Sequence, residues 1–437
     1  MWAAPPEPEP QVQVQVQAEH RPRPALWRRA LSYRAFWRRG AVRAGAVITL
    51  LALCALVILA LVRDQTGDQG FLVGLGLAVL PVPLLMGAFR WLDRVDPGPW
   101  RNLLFAFAWG AFAAALVAIL TNSFATQWIA TATADPVGAQ SLGATLIAPV
   151  VEESAKATAV LLLFLFRRRD FTGLVDGVVF AGFTATGFAF TENVLYLGSA
   201  FGEDQSIGNG GFASFTVATF FARVVLSPFA HPLFTVMTGI GFGLAASAAG
   251  RRRPLRYVAP PLGLVAAMGT HALWNGSSSF GTYGFYAVYA LFMVPVFSLL
   301  TWLAVWSRQR GLRTVHDELP AYAAAGWLAT AAPHTLSSMR ARTAARDFAG
   351  RTYGPAAARA VGEYEALATS LALMRHRAHR GAVDPDFIER ERELLRRLWQ
   401  RRSVADPAMI YAARATGRVR VPPPYLDYEG YNPYRQY

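Results

Sequence analysis

Apolar stretches of roughly the 20 residues that a helix needs to cross a bilayer recur near residues 45–62, 71–89, 103–121, 143–166, 172–198, 214–249, 257–275 and 283–305. No other feature limits the fold as strongly. A bilayer gives backbone amides no water, so each crossing must satisfy its own hydrogen bonds, which a helix does. The expected fold is therefore an all-α polytopic membrane protein with about eight transmembrane helices and a helical cytoplasmic C-terminal tail. The chain has 437 residues, 54% of them hydrophobic, yet a formal net charge of +14. That charge must lie between and beyond the spans.

Its distribution orients the chain. Arginine occupies the segment before residue 45, the connections 90–101, 167–170 and 251–256, and everything after 306, whereas 122–142 and 199–213 contain none. By the positive-inside rule both termini are cytoplasmic and the number of crossings is even. The organisation that follows is a disordered, Arg-rich head over 1–44, a membrane domain over 45–305 and an Ala/Arg-rich helical tail over 306–437 with a Tyr/Pro-rich tip. The basic flank ahead of the first span reads as an uncleaved anchor rather than a cleaved signal. The segment 214–249 is long for one upright helix and is expected to break or kink at Pro228 and Pro232. Arg-rich segments beside a bilayer suit anionic lipid head groups, and no nucleic acid is expected as a partner. Cys54 is the only cysteine, so no intramolecular disulfide and no cysteine metal site exist.

One span contradicts its surroundings. The stretch "LIAPVVEESAKATAVLLLFLF" (146–166) places Glu152, Glu153 and Lys156 in mid-helix, and Lys156 is the only lysine in the chain. Each charge at such depth costs at least about 2.5–3.5 kcal/mol on insertion scales. At 100° per residue the three fall within an arc of roughly 100°, with the lysine between the carboxylates. They face one neighbour together, and Pro149 on the same arc should bend the helix there. Three further spans carry polar groups: Glu192 and Asn193 follow Phe188 in "FAFTEN", His231 sits between prolines in "FAHPLFT", and His271 and Asn275 lie one turn apart in "HALWN". Counted from the arginine-free loops, Glu192 and His271 lie within about two turns of the outer surface and the glutamate pair about 14 Å below it. Arg223 and Asp176 read as snorkelling groups or as groups held by structural partners.

This inventory suits two chemistries. Glu192, His231 and His271 form a two-imidazole, one-carboxylate ligand set for zinc or another divalent metal, with a further glutamate to take a proton from bound water. Alternatively a buried glutamate activates water with no metal. Either route hydrolyses a peptide bond, while a proton- or ion-coupled transporter would use the same carboxylates for binding. A non-catalytic scaffold whose tail binds a partner is a third reading. The chain has no HExxH, no GxSxG turn and no GxGD motif, so the common protease signatures do not account for the set.

The ordered pattern of "EESAK" (152–156), "FAFTE" (188–192), "HPLFT" (231–235) and "HALWN" (271–275), all within 143–276, closely resembles the PrsW family of bacterial intramembrane proteases. That family is grouped with the CAAX prenyl proteases and bacteriocin-processing membrane proteins. The resemblance implies a peptidase in the bacterial plasma membrane that cuts a membrane-anchored protein on its extracytoplasmic side, an anti-sigma factor being the family's name-giving substrate. It implies Glu152 and Glu153 as the catalytic pair, Lys156 as their partner, and Glu192, His231 and His271 completing the site, supported by Phe188, Asn193 and Asn275. Relatives of the CAAX type are thought to activate water by glutamate alone, so the resemblance leaves the metal open.

Overall fold

The computed structural model describes residues 40–248, 253–381, 383 and 386–418. Most of the head expected over 1–44, and the Tyr/Pro-rich tip, lie outside the described residues. Helices and no strands are present among the described residues. These residues divide into two compact units, one of 40–94 and 98–307 and the other of 95–97 and 308–418.

The first unit holds helices α1 (Gly40–Ala78), α2 (Pro81–Leu92), α3 (Trp100–Ala108), α4 (Ala115–Thr133), α5 (Pro136–Leu142), α6 (Ala148–Phe166) and α7 (Leu174–Ile207). It continues with α8 (Phe215–Phe220), α9 (Ala230–Ser247), α10 (Leu255–Gly276), α11 (Gly281–Val288) and the start of α12 (Val294–Glu318). Among the described residues, five helical stretches are long and apolar enough to cross a membrane: Gly40–Leu92, Trp100–Thr133, Leu174–Ile207, Phe215–Ser247 and Leu255–Ala324. The first and last, 53 and 70 residues long, far exceed one crossing. Gly67 breaks the first with φ 70° and ψ 168°, and Gly281 breaks the last at φ 71°; both need a backbone that only glycine adopts without strain. α6 stands apart from the five because of its three charges. Among the described residues the eight apolar stretches read from the sequence are largely helical, with 214–249 interrupted at 227–229. The arginine-free segment 122–142, expected as a loop, is instead mostly helical: α4 runs on to Thr133, and α5 follows at once, its N-cap Asp135 accepting from Gly138 N.

Large apolar side chains such as Ile48, Leu56, Leu84, Leu120, Val265 and Leu291 point outward and are exposed. Water would penalise such a surface and lipid tails solvate it. Inside, α7 is buried from Gly177 to Ala189 and runs through the middle of the unit. It admits its neighbours by having no side chain where they cross. A Cβ on Gly187 would lie 2.1 Å from the Phe107 carbonyl oxygen, and one on Gly110 would lie 1.9 Å from that of Thr184. Such backbone contact is how membrane helices pack without a hydrophobic drive between them.

Four π-helical turns interrupt this unit, at Trp109–Ala114, Gly143–Ile147, Phe221–Leu226 and Tyr289–Met293. Each inserts one extra residue and frees a carbonyl. Two of the freed or neighbouring carbonyls are met by side chains: Asn275 Nδ2 donates to Ala144 O at 2.9 Å, and Tyr289 Oη donates to Leu226 O at 2.8 Å.

The second unit packs α13 (Pro320–Ala324), α14 (Ala332–Leu336), α15 (Met339–Tyr353), α16 (Pro355–His379) and α17 (Phe387–Ala415) around an alanine-rich core. Ala345, Ala349, Ala368, Ala372, Ala405 and Ala408 all belong to it. Small side chains let these helices approach closely, and Leu319, Tyr322, Tyr364 and Leu398 fill what remains.

Candidate functional site

The site begins on α6. Pro149 stands in its first turn, where a missing N–H costs nothing. The bend expected at Pro149 is taken up by the π-helical turn just before it. From there α6 aims Glu152, Glu153 and Lys156 into the protein, and all three are buried.

Lys156 is fully enclosed. Its Nζ lies 2.8 Å from Glu153 Oε1, 3.4 Å from Glu152 Oε2 and 3.2 Å from His231 Nδ1. An ammonium has three N–H donors, and each meets one acceptor. The ring of Phe188 stands on a further side, its centroid 3.8 Å from the nitrogen. A planar guanidinium could not serve three acceptors so arranged in this volume, which explains a lysine in a chain that otherwise uses arginine.

The two glutamates differ. Glu153 has both oxygens engaged inside the protein: Oε1 by Lys156 and by His271 Nδ1 at 3.0 Å, Oε2 by the Thr235 hydroxyl at 2.8 Å. Glu152 is held more loosely. Its Oε2 faces Lys156 at 3.4 Å and His271 Nε2 at 3.9 Å, and its Oε1 is 3.5 Å from Asn122 Nδ2. Glu152 also lines a cavity of about 190 Å³ with Asn122, Ser123, Glu192 and Tyr196.

Partners fix the imidazole protons. Since a carboxylate only accepts, His271 Nδ1 donates to Glu153 and leaves Nε2 with a lone pair toward Glu152. His231 accepts from Lys156 at Nδ1 and donates from Nε2 to Glu192 Oε2 at 2.5 Å. Phe234 stacks on His271 with centroids 4.6 Å apart and holds the ring in place. His231 reaches the cluster because the chain breaks at Ser227–Phe229 and restarts as α9 at Ala230. The expected kink thus lies at Pro228, while Pro232 sits in the first turn of α9.

Glu192 has a second cation. Arg223 Nη2 approaches it at 2.5 Å, Arg223 Nε donates to Asn193 Oδ1 at 2.8 Å, and the guanidinium lies 4.1 Å from the Tyr196 ring. A second cavity, about 170 Å³, is lined by Asn193, Arg223, His231, Trp274 and Phe285. The structure therefore brings Glu152, Glu153, Lys156, Phe188, Glu192, Asn193, His231 and His271 together. Asn275 instead braces α10 against the π-helical turn at Ala144. Asp176 is structural, accepting from Thr172 and Gly173 at the start of α7. Sequence reasoning named Arg223 only as a snorkelling or structurally held group and did not name Asn122. The available signal for Arg223 was a single arginine flanked by apolar residues on the outer half of its span.

The groups that could hold a metal are Glu152, His231 and His271, each offering a ligand atom within 4.8 Å of the others. This trio has Glu152 where the sequence suggested Glu192. Zinc bonds of about 2.0–2.1 Å bring tetrahedral ligands to roughly 3.4 Å apart, so a modest inward movement of the trio suffices. The donor types fit, two imidazoles and one carboxylate, and Glu153 stands on the far nitrogen of His271 in the carboxylate–histidine arrangement that orients a ligating ring; His231 would ligate through Nδ1 once Lys156 gave up that lone pair.

Residues 98–300 match the family model described as PrsW family intramembrane metalloprotease. Over those residues, just under half of the chain, the protein is similar to the PrsW family. Similar proteins include Protease PrsW of Geobacillus kaustophilus (strain HTA426), 29% identical over 175 residues, which are 40% of this chain and 68% of that protein. Protease PrsW of Clostridioides difficile (strain 630) is 27% identical over 163 residues, 37% of this chain and 62% of that protein. No solved structure matches the chain. The PrsW match covers every residue of the buried cluster, and the membrane unit is that of a membrane-embedded peptidase.

Proposed function

We propose that this PrsW-type peptidase hydrolyses a membrane-anchored protein near the extracytoplasmic face, with Glu152 as the group that activates water. One observation carries the assignment: of the two adjacent glutamates, Glu153 is saturated by Lys156, His271 and Thr235, while Glu152 turns an oxygen to a cavity. A base must touch the water it deprotonates. Glu152 Oε1 takes a proton from water as the water oxygen bonds to the scissile carbonyl carbon. The tetrahedral adduct then collapses, the C–N bond breaks, and the same proton passes from Glu152 to the departing amine. Lys156 lies between Glu152 and Glu153 and offsets their charge, and Glu153 fixes the ring of His271.

A divalent ion held by Glu152, His231 and His271 would supply Lewis-acid polarisation of the carbonyl. The cavity beside His231, walled by Ala189, Ala222, Ala230, Trp274 and Phe285, suits an apolar side chain of an unwound substrate span. A single-span anti-sigma factor is the substrate class the family points to. Both termini are placed in the cytoplasm by the arginine pattern. The exposed Arg167, Arg168 and Arg169 then face anionic lipid head groups on that side.

The test compares new protein N-termini in membranes from cells carrying the wild-type chain or Glu152→Gln. Fragments of single-span proteins, cut near their outer ends, should vanish in the variant at equal protein abundance. Persistence of every fragment sinks the reading. Metal content of the purified chain separates the two chemistries. About one zinc per chain that disappears in His271→Ala supports the metal route, and an active protein without metal supports glutamate alone.

A further inference from the structure

Asn122 sits near the outer end of the Trp100–Thr133 helical stretch and belongs to none of the motifs that marked the site. Its Nδ2 lies 3.5 Å from Glu152 Oε1. Its Oδ1 is buried and has no hydrogen-bond partner. Asn122 is one of the residues around the cavity of about 190 Å³ that Glu152 and Glu192 line, together with Ser123 and Gln65. A buried carboxamide oxygen with no partner is destabilising, so a side chain keeping that arrangement beside a catalytic carboxylate needs a use for it.

We infer that Asn122 is a positioning residue for the hydrolytic water, its Oδ1 accepting one water hydrogen while Glu152 Oε1 accepts the other. This rests on the reading of Glu152 given above. The two acceptors take the two hydrogens of one water and leave its lone pairs for the scissile carbonyl. Asn122 thereby fixes the angle of attack without itself exchanging a proton. Its Nδ2, next to Oε1, holds the carboxylate in the matching rotamer. Orientation of this kind accelerates the chemical step and leaves substrate binding unchanged.

The probe is the single-span protein whose fragments disappear in Glu152→Gln membranes, reconstituted with the full-length chain in vesicles of phosphatidylethanolamine and phosphatidylglycerol. Asn122→Ala should lower kcat about 10- to 100-fold with KM within about twofold of wild type. Asn122→Asp keeps an acceptor oxygen in the same place but adds a charge beside Glu152. It should recover part of the kcat lost in Asn122→Ala with KM again near wild type, a rescue that a merely structural asparagine would not show. The inference is overturned if Asn122→Ala keeps wild-type kcat, if its loss lies in KM, or if Asn122→Asp is no faster than Asn122→Ala. Should Asn122→Ala fail to accumulate, Asn122→Leu, of similar volume and without an acceptor, takes its place in the comparison. If Glu152→Gln cleaves normally, the reading of Glu152 fails and this inference falls with it; if Glu152→Gln is dead while Asn122→Ala is fully active, only the inference fails.

Discussion

Both units of this protein bury charge, and they do so for different ends. In the helical tail Arg342 is buried, and its guanidinium donates to Leu336 O at 2.7 Å, Val95 O at 2.8 Å and Thr369 Oγ1 at 2.8 Å. Every partner is a neutral oxygen fixed by the fold, and the arginine ties a loop residue to two helices. In the membrane unit Lys156 is just as enclosed, but its partners are Glu152, Glu153 and His231, groups that themselves carry or exchange protons. One of them opens on a cavity. Burial alone therefore does not mark a reactive site. Burial among titratable partners, with one partner reaching a cavity, does.

The contrast can be broken most severely at Lys156. Lys156→Met leaves two buried carboxylates uncompensated, a loss of about 3–5 kcal/mol for a broken buried pair. Thermal melting in detergent should show a large fall, and adding Glu153→Gln should recover much of it. Equal stability of Lys156→Met and wild type would mean that the cluster is not the charged unit described. Next in size, Arg342→Met strands the Leu336 and Val95 carbonyls and should destabilise the tail by on the order of 3 kcal/mol. Limited proteolysis should then cut within 339–415 while cleavage of the membrane substrate continues. A loss of that cleavage would erase the distinction between structural and reactive buried charge.

The smallest effect concerns Glu365. Burial pushes its carboxyl from the ordinary 4.5 to about 7, against the pull of Arg346 and Arg342. Between these values the unfolded chain binds fewer protons than the folded one, so the stability of the tail falls as pH rises through that window. Hydrogen exchange of α16 in the full chain should quicken from pH 5 to pH 8, and Glu365→Gln should flatten the dependence. An unchanged slope in the variant would assign the pH effect to another group.

Much of this was legible in the sequence. A helix rotates 100° per residue, so the shared arc of Glu152, Glu153 and Lys156 follows from their numbering, and the cost of charge in an apolar run marks them for attention. The same reasoning found Glu192, His231 and His271, which the structure joins to that arc through 2.5–3.9 Å contacts. It did not separate the roles of the two glutamates, because that depends on which one Thr235 and His271 saturate from other helices. Arg223 and Asn122 escaped for a related reason. Asn122 stands where its span meets an expected outer loop, a place where polar residues are ordinary, and Arg223 is a long side chain that could have snorkelled; only tertiary contact brings either to the site. Asn275 shares the His271 face by spacing, yet a carbonyl near the turn at Gly143–Ile147 claims it, and π-helical turns leave no trace in hydropathy.

That turn makes the enzyme sensitive to the count of its residues. Loss of one codon within 143–147 would let the segment relax to an ordinary α-helix, with hydropathy, charge and membrane insertion all intact. The helix on either side would keep nearly its present phase, but the carbonyl that Asn275 meets would be taken up within the helix and no longer presented to it. Such a protein would be made, inserted and assembled, yet α10, which carries His271, would have lost its brace against the segment that leads into the glutamate pair.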